Sequence, residues 1–168
     1  MKKKLLRLSS MSLLVLGVIY VAWKTFVPTI SNPGLDFEVI WLSGRIWLSG
    51  QDPYNLTVFK EVQKDLLYLR ELAWFYPPSW APISVFMALF PFSFAELLWR
   101  SLNFCALFGT IAMTWFWIGR ESISLPLFLV GASYFCFFLF FPGVFALGHT
   151  AIFTSFGLLL ALYSMKRG

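Results

Sequence analysis

Among the residues of this chain whose type and position could do chemistry, Asp36 comes first. It follows an amino-terminal apolar run and a Ser31-Asn32-Pro33-Gly34 break, where two turn formers and a proline stop a helix. The residues after it have helical periodicity, so Asp36 falls at a helix start. A carboxylate there is held as the anion by free backbone N–H groups and the helix dipole. Such a group can act as a general base that removes a proton from an acceptor hydroxyl. It can also serve as a plain N-cap, and the two roles are compatible. Glu38 and Arg45 are candidates for substrate contact, Arg45 through a phosphate; the structural alternative is a solvated helix face or an ion pair. Tyr76 is the substrate-binding candidate among the aromatic residues, which could stack on sugar rings or hold a lipid chain. His149 is the single histidine and sits in a charge-free apolar segment. An ionisable group there is a functional candidate, with a His satisfied by a backbone carbonyl as the structural reading. Asp52 precedes Pro53 in a turn, which is structural use.

Other chemistries find no residues. There is no Gly-rich phosphate loop, no Cys/His cluster with metal spacing and, with one His, no Ser-His-Asp set. Neither a metal nor a cofactor is expected. Cys105 and Cys136 both lie in apolar runs and read as buried, inert thiols. Asn55-Leu56-Thr57 matches a glycosylation sequon, a weak three-residue pattern.

The elements that must position these residues are dictated by composition. The chain is 59% hydrophobic and only 12% charged, with a mean hydropathy of +0.75. Soluble chains are nearer half apolar and a quarter charged. Charge-free runs cover Leu8–Trp23, Leu72–Ala95, Ser101–Gly119 and Ser122–Met165. About 20 apolar residues cross a bilayer as a helix, so the expected fold class is an all-α polytopic membrane protein. The net charge of +5 is not a nucleic-acid signal. Lys2, Lys3, Lys4 and Arg7 precede the first apolar run, the pattern that keeps an amino end in the cytoplasm. No small-x-small cleavage site follows that run, so an uncleaved anchor is expected rather than a signal peptide.

The expected order is a first span over 8–27, an extracytoplasmic loop over 31–78, a second span over 79–94 and a third over 97–118. Lys24 would snorkel to the outer interface, and Pro91-Phe92-Ser93-Phe94 would turn on the cytoplasmic side. Residues 122–165 hold either a re-entrant pair plus a span or two full spans, with Pro142-Gly143 near the turn. The loop carries six of the eight acids, Asp36, Glu38, Asp52, Glu61, Asp65 and Glu71. Two helices are expected in it, over about 36–50 and 57–72. In the first, Phe37, Ile40, Trp41, Gly44, Trp47 and Leu48 form an apolar stripe. In the second, Phe59, Val62, Leu66 and Leu69 oppose Lys60, Glu61, Lys64 and Asp65. Both read as amphipathic helices lying flat at the outer interface, separated by a turn at Gly50-Gln51-Asp52-Pro53-Tyr54-Asn55.

Taken in order, several of these segments carry a resemblance. Asp36-Phe37 after the first span, Gly50-Gln51-Asp52-Pro53-Tyr54, Phe75-Tyr76-Pro77-Pro78, Pro91-Phe92 and Leu97-Leu98-Trp99-Arg100-Ser101-Leu102-Asn103 resemble glycosyltransferase family eighty-seven. These are the polyprenyl-phosphate-sugar-dependent mannosyltransferases and related arabinofuranosyltransferases of the GT-C superfamily. The resemblance spans about 36–103. It implies a GT-C-type membrane fold opening at the outer face and an inverting transfer of mannose, or another hexose or pentose, from a polyprenyl-phosphate donor to a glycan or glycolipid hydroxyl. Asp36 matches the family's catalytic acidic position. Where members carry Gly-Gln-x-Asn, this chain reads Gly148-His149-Thr150-Ala151, which keeps only the Gly. Members run to several hundred residues with about twice as many spans, so the match is to an amino-terminal portion. Arg45, Lys60, Lys64 and Arg70 are the few basic groups available for a lipid phosphate.

The implied localisation is a bacterial plasma membrane, in the cell envelope, with membrane lipids as surroundings and a second chain supplying missing helices. Nucleic acid is not an expected partner. The alternative is a non-catalytic membrane subunit or truncated remnant of such an enzyme. A small transporter or channel fits less well, because only Glu96, Arg100 and His149 are ionisable within the spans.

Overall fold

The computed structural model describes residues 2–26, 35–64, 76–119, 124–138 and 150–167. Every regular element among them is helical. In chain order these are α1 (Lys2–Phe26), α2 (Leu35–Leu48), α3 (Leu56–Lys64), a single 3-10 turn (Pro78–Trp80), α4 (Ala81–Ala88), α5 (Phe92–Thr114), α6 (Leu125–Phe138) and α7 (Ala151–Arg167). The last turn of α5 widens into a π-helical stretch over Trp115–Gly119.

Among the described residues, two segments are long and apolar enough to cross a membrane, Lys4–Trp23 in α1 and Phe92–Trp117 in α5 and the π-helical stretch that follows it. Shorter apolar stretches occupy Leu125–Tyr134 in α6 and Ile152–Met165 in α7. Leu5, Leu8, Leu16 and Ile19 on α1, and Leu158 and Leu162 on α7, are exposed. Helix α1 packs along α6, α5 packs along α7, and α2 packs along α4 and touches α3 and α5.

Helix α2 departs from its expected character. An amphipathic helix at an interface keeps one face wet, yet Phe37, Glu38, Val39, Ile40, Leu42 and Ser43 are all at most 1% exposed. The apolar stripe counted in the sequence was real, but Val39, Leu42 and Ile46 lie off it and close the ring of apolar residues. A helix hydrophobic on all sides belongs inside a fold. Glycine makes the fit possible on one side: a Cβ at Gly44 would collide with the Ser84 carbonyl oxygen and lie 2.7 Å from the Ala88 Cβ. The backbones of α2 and α4 therefore meet across Gly44, Ser84 and Ala88.

The region expected as a second span, 79–94, is divided. The 3-10 turn leads into α4, which has 8 residues and is about 12 Å long at 1.5 Å per residue. The chain then turns at Leu89-Phe90-Pro91, and α5 starts at Phe92, inside the stretch expected to be the turn. Pro91 sits at the N-cap of α5 with extended backbone, as a proline prefers just ahead of a helix. The indole of Trp41 donates to the Phe90 carbonyl at 3.1 Å and ties this corner to α2. Cys105 is exposed on α5 rather than buried. The Ser31–Gly34 break, residues 65–72 of the second loop helix, Pro142-Gly143 and the Cys136 and Lys24 side chains lie outside what the structure describes.

Candidate functional site

The site is built where the starts of two helices meet the approach to α4. Asp36 lies in the first turn of α2 and is partly buried, so its carboxylate sits at the electropositive end of that helix. Tyr76 lies just ahead of the Pro77-Pro78 step and is buried at 8% exposure. Thr150, buried immediately before α7, comes from the far end of the sequence. The carboxylate of Asp36 and the hydroxyl of Thr150 are the side-chain groups that act on the Tyr76 phenol.

Burial, and after it the negative charge of Asp36, pushes the Tyr76 phenol up from 10.0 to about 12. The contact with Asp36 adds to the rise, and the contact with Thr150 opposes it. The phenol thus keeps its proton throughout the physiological range.

The turn after α2 reaches this site as well. Gly50 adopts φ 75°, the left-handed conformation that ends a helix with little strain only in glycine. Asp52 Oδ1 accepts from the Tyr54 backbone N–H at 2.9 Å, an Asx-type turn. Tyr54 then donates its hydroxyl to the Tyr76 main-chain carbonyl at 2.7 Å. The ring of Tyr76 packs on Trp80 with centroids 5.6 Å apart. Trp80 meets Trp99 edge-on at 6.3 Å, and Trp99 stacks on Phe37 at 5.6 Å and packs against Phe153 at 4.9 Å. Beyond Trp80 lies an open apolar groove of about 330 Å³, lined by Trp80, Ile83, Phe86, Met87, Trp99 and Phe153 among others.

Asp36 and Tyr76, both singled out from the sequence, are therefore brought together. Glu38 is at 1% exposure, so it is neither a solvated face nor open to substrate. Arg45 is exposed nine residues further along α2, its guanidinium 5.6 Å from the Trp41 ring centroid, a cation–π placement. Its distance from Asp36 along the helix is about 13 Å. Lys60 and Lys64 are exposed on α3. His149 and Arg70 lie outside the described residues, although the residue after His149 is at the site.

Two features escaped the sequence reading. Tyr54 was seen only as part of a turn; its spacing gives no sign that its hydroxyl reaches Tyr76. Glu96 and Arg100 on α5 form a buried ion pair, with Arg100 Nη2 2.6 Å and Nε 3.1 Å from Glu96 Oε1. Their i, i+4 spacing inside an apolar helix was the available signal. Among the described residues, no three His, Cys, Asp or Glu side chains gather as metal ligands would. No protein-family model, curated protein or solved structure matches the chain.

Proposed function

We propose that the chain carries the acceptor-activating part of a membrane glycosyltransferase of GT-C type. In this reading it takes a sugar from a polyprenyl-phosphate donor at the outer face of a bacterial plasma membrane. The observation that carries the reading is the placement of Asp36: a partly buried carboxylate in the first turn of α2, whose charge acts on the buried Tyr76 phenol. The order of motifs over 36–103 supports the same assignment. The basic amino end, Lys2, Lys3, Lys4 and Arg7, supports a cytoplasmic start and an outward-facing site. With α1 and α5 as crossings, a polytopic arrangement completed by α6 and α7 is part of the proposal.

The chemistry assigned to Asp36 is a single displacement. Its carboxylate takes the proton from an acceptor hydroxyl as that oxygen attacks the anomeric carbon. The bond from that carbon to the lipid phosphate breaks, and the phosphate leaves as the anion with inversion at the carbon. The apolar groove past Trp80 suits the hydrocarbon chain of the donor.

Membranes containing the chain, supplied with labelled polyprenyl-phosphate-mannose, test the reading by transfer to endogenous glycolipid. Asp36→Asn removes the base while nearly conserving shape, and the expected loss is about 10²–10⁴-fold. Transfer undiminished in Asp36→Asn would falsify the role. A second reading is a membrane subunit that keeps this fold without catalysis. The burial of α2 favours it, because Asp36 and Tyr76 then serve only to seat a core helix. No transfer by either protein, with normal insertion of both, is its expected outcome.

A further inference from the structure

The end of α1 and the start of α2 both land on the Phe92–Phe104 part of α5. Phe26, the last residue of α1, meets the Phe104 ring at 5.8 Å. Phe37, in the first turn of α2, meets Phe92 at 5.9 Å and Trp99 at 5.6 Å. Further back on α1, Val21 shares a buried cluster with Ala106 and Leu107, and Leu14 and Ile111 pack against that cluster. Moving down α1 from Phe26 is therefore moving onward along α5 from Phe104, and the two helices run antiparallel. Helix α7 runs with α5: Phe153 packs against Trp99 at 4.9 Å, and a Cβ at Gly109 would strike the Phe156 ring. At the far end of α5, Trp115 meets Phe128 near the start of α6 at 4.9 Å, and α6 packs back along α1.

These directions gather the start of α1 and the ends of α5 and α7 at one end of the bundle. Helix α1 opens with Lys2, Lys3, Lys4 and Arg7, and α7 closes on Lys166 and Arg167. The corner between α4 and α5 lies at the opposite end, and Ala81–Pro91 carries no charged residue. Ile83, Phe86, Leu89, Phe94 and Leu97 are 39–64% exposed around it. Phe90 joins them, its ring 5.5 Å from that of Phe86 and 5.3 Å from that of Phe94. An exposed apolar surface of this kind marks contact with a membrane or a partner.

We infer that α4 does not cross the bilayer: the α4–α5 corner seats in the outer leaflet, on the same side as the Gly50–Tyr54 turn, and α5 descends from it to the cytoplasmic face. The inference rests on the proposed outward orientation only for naming the leaflet; that α2 and the corner share a side rests on their contacts. The Trp41 indole on α2 donates to the Phe90 carbonyl at 3.1 Å, and its ring meets Phe92 at 5.4 Å. Length agrees, since the 8 residues of α4 span about 12 Å against a hydrocarbon core of about 30 Å. Charge supplies an independent argument. A crossing α4, followed by α5 and two further passes, would leave Lys166 and Arg167 outside. With α4 held in one leaflet, α1, α5, α6 and α7 alternate in direction and bring the basic residues of both chain ends to the cytoplasmic side. The acyl chains of the outer leaflet are the occupant this corner fits. Its exposed side chains are wholly apolar, and Leu102 and Phe108 continue the exposed apolar surface along α5.

Thiol accessibility tests the pass order in a chain with Cys105 and Cys136 replaced by Ser. Glu121 follows α5 in the sequence, and Gly168 follows α7. A membrane-impermeant thiol reagent is applied to intact cells and to inside-out vesicles. Asn55→Cys should react on cells, and Glu121→Cys and Gly168→Cys only in the vesicles. Reaction of Asn55→Cys and Glu121→Cys from the same side would mean that α4 crosses and would overturn the inference. Gly168→Cys reacting from the same side as Asn55→Cys would overturn the pass order. Asn55→Cys reacting only in vesicles while Glu121→Cys reacts on cells would defeat the outward-facing reading and still keep α4 within one leaflet. The seating itself is read by a nitroxide on Leu89→Cys in lipid nanodiscs. Leu89 is 64% exposed, so the change leaves the packing intact. Oxygen concentrates in hydrocarbon, so it should relax this label more than a water-soluble nickel complex does, the reverse of a label on Asn55→Cys. Relaxation mainly by the nickel complex at Leu89→Cys would place the corner in water and overturn the seating.

Discussion

A buried phenol beside a carboxylate leaves a mark on stability. The Tyr76 phenol is held up at about 12 by burial and by Asp36, while an unfolded chain would titrate it near the ordinary tyrosine value, about 10. Below both values the phenol is protonated in either state and costs nothing. Above pH 10 the unfolded chain ionises first, so stability falls as pH rises through the window from 10 to 12. The loss amounts to about 2–3 kcal/mol at the top of that window. Chemical denaturation of Tyr76→Phe should lack this component, so the two proteins should diverge in stability only above pH 10. Parallel curves through pH 12 would contradict the buried placement of the phenol. The Glu96–Arg100 pair gives a second prediction at this scale. Arg100→Leu strips the guanidinium from a buried carboxylate, an expected loss of about 3–5 kcal/mol, while Glu96→Leu with Arg100→Leu should recover most of it.

At the scale of elements, the seam between α2 and α4 decides whether the site can form. Gly44→Ala drives a methyl into the Ser84 carbonyl and the Ala88 methyl, and overpacking of this kind costs about 1–3 kcal/mol. A Cβ at Gly131 on α6 meets nothing within 4 Å, so Gly131→Ala should be neutral or slightly stabilising. Thermal unfolding in detergent reads both, and equal midpoints for the two variants would contradict the close α2–α4 approach. The existence of α2 was legible from its periodicity, and its start at Leu35 lies one residue from the expected one. Its burial was not, because the stripe test counts the residues that fit one face and ignores Val39, Leu42 and Ile46 on the others. The break at Leu89–Pro91 was also hidden: an uncharged run reads as continuous although Pro91 fixes a corner within it. At the site, Asp36 was legible from its place at a helix start. Thr150 and Tyr54 were not singled out, since their nearness to Tyr76 arises from packing between segments far apart in sequence.

At the scale of the molecule, α1 and α5 are the two segments among the described residues with the length and hydropathy to cross a bilayer, and the proposed orientation puts the Gly50–Tyr54 turn outside. Asn55 is exposed in that turn. Asn55→Cys, in a chain with Cys105 and Cys136 replaced by Ser, should react with a membrane-impermeant thiol reagent applied to intact cells. Reaction only after lysis would place the turn, and Asp36 with it, on the cytoplasmic side. The groove beyond Trp80 belongs to the same frame, since its walls come from the 3-10 turn, α4, α5 and α7 and so depend on those elements packing together.

The most direct measurement compares sugar transfer from polyprenyl-phosphate-mannose by membranes carrying the unaltered chain, Asp36→Asn and Asp36→Glu, at equal levels of inserted protein. The proposed role of Asp36 requires transfer by the unaltered chain, a loss of about 10²–10⁴-fold in Asp36→Asn and partial recovery in Asp36→Glu, whose carboxylate can still take the proton. Equal transfer by the unaltered chain and Asp36→Asn would contradict it.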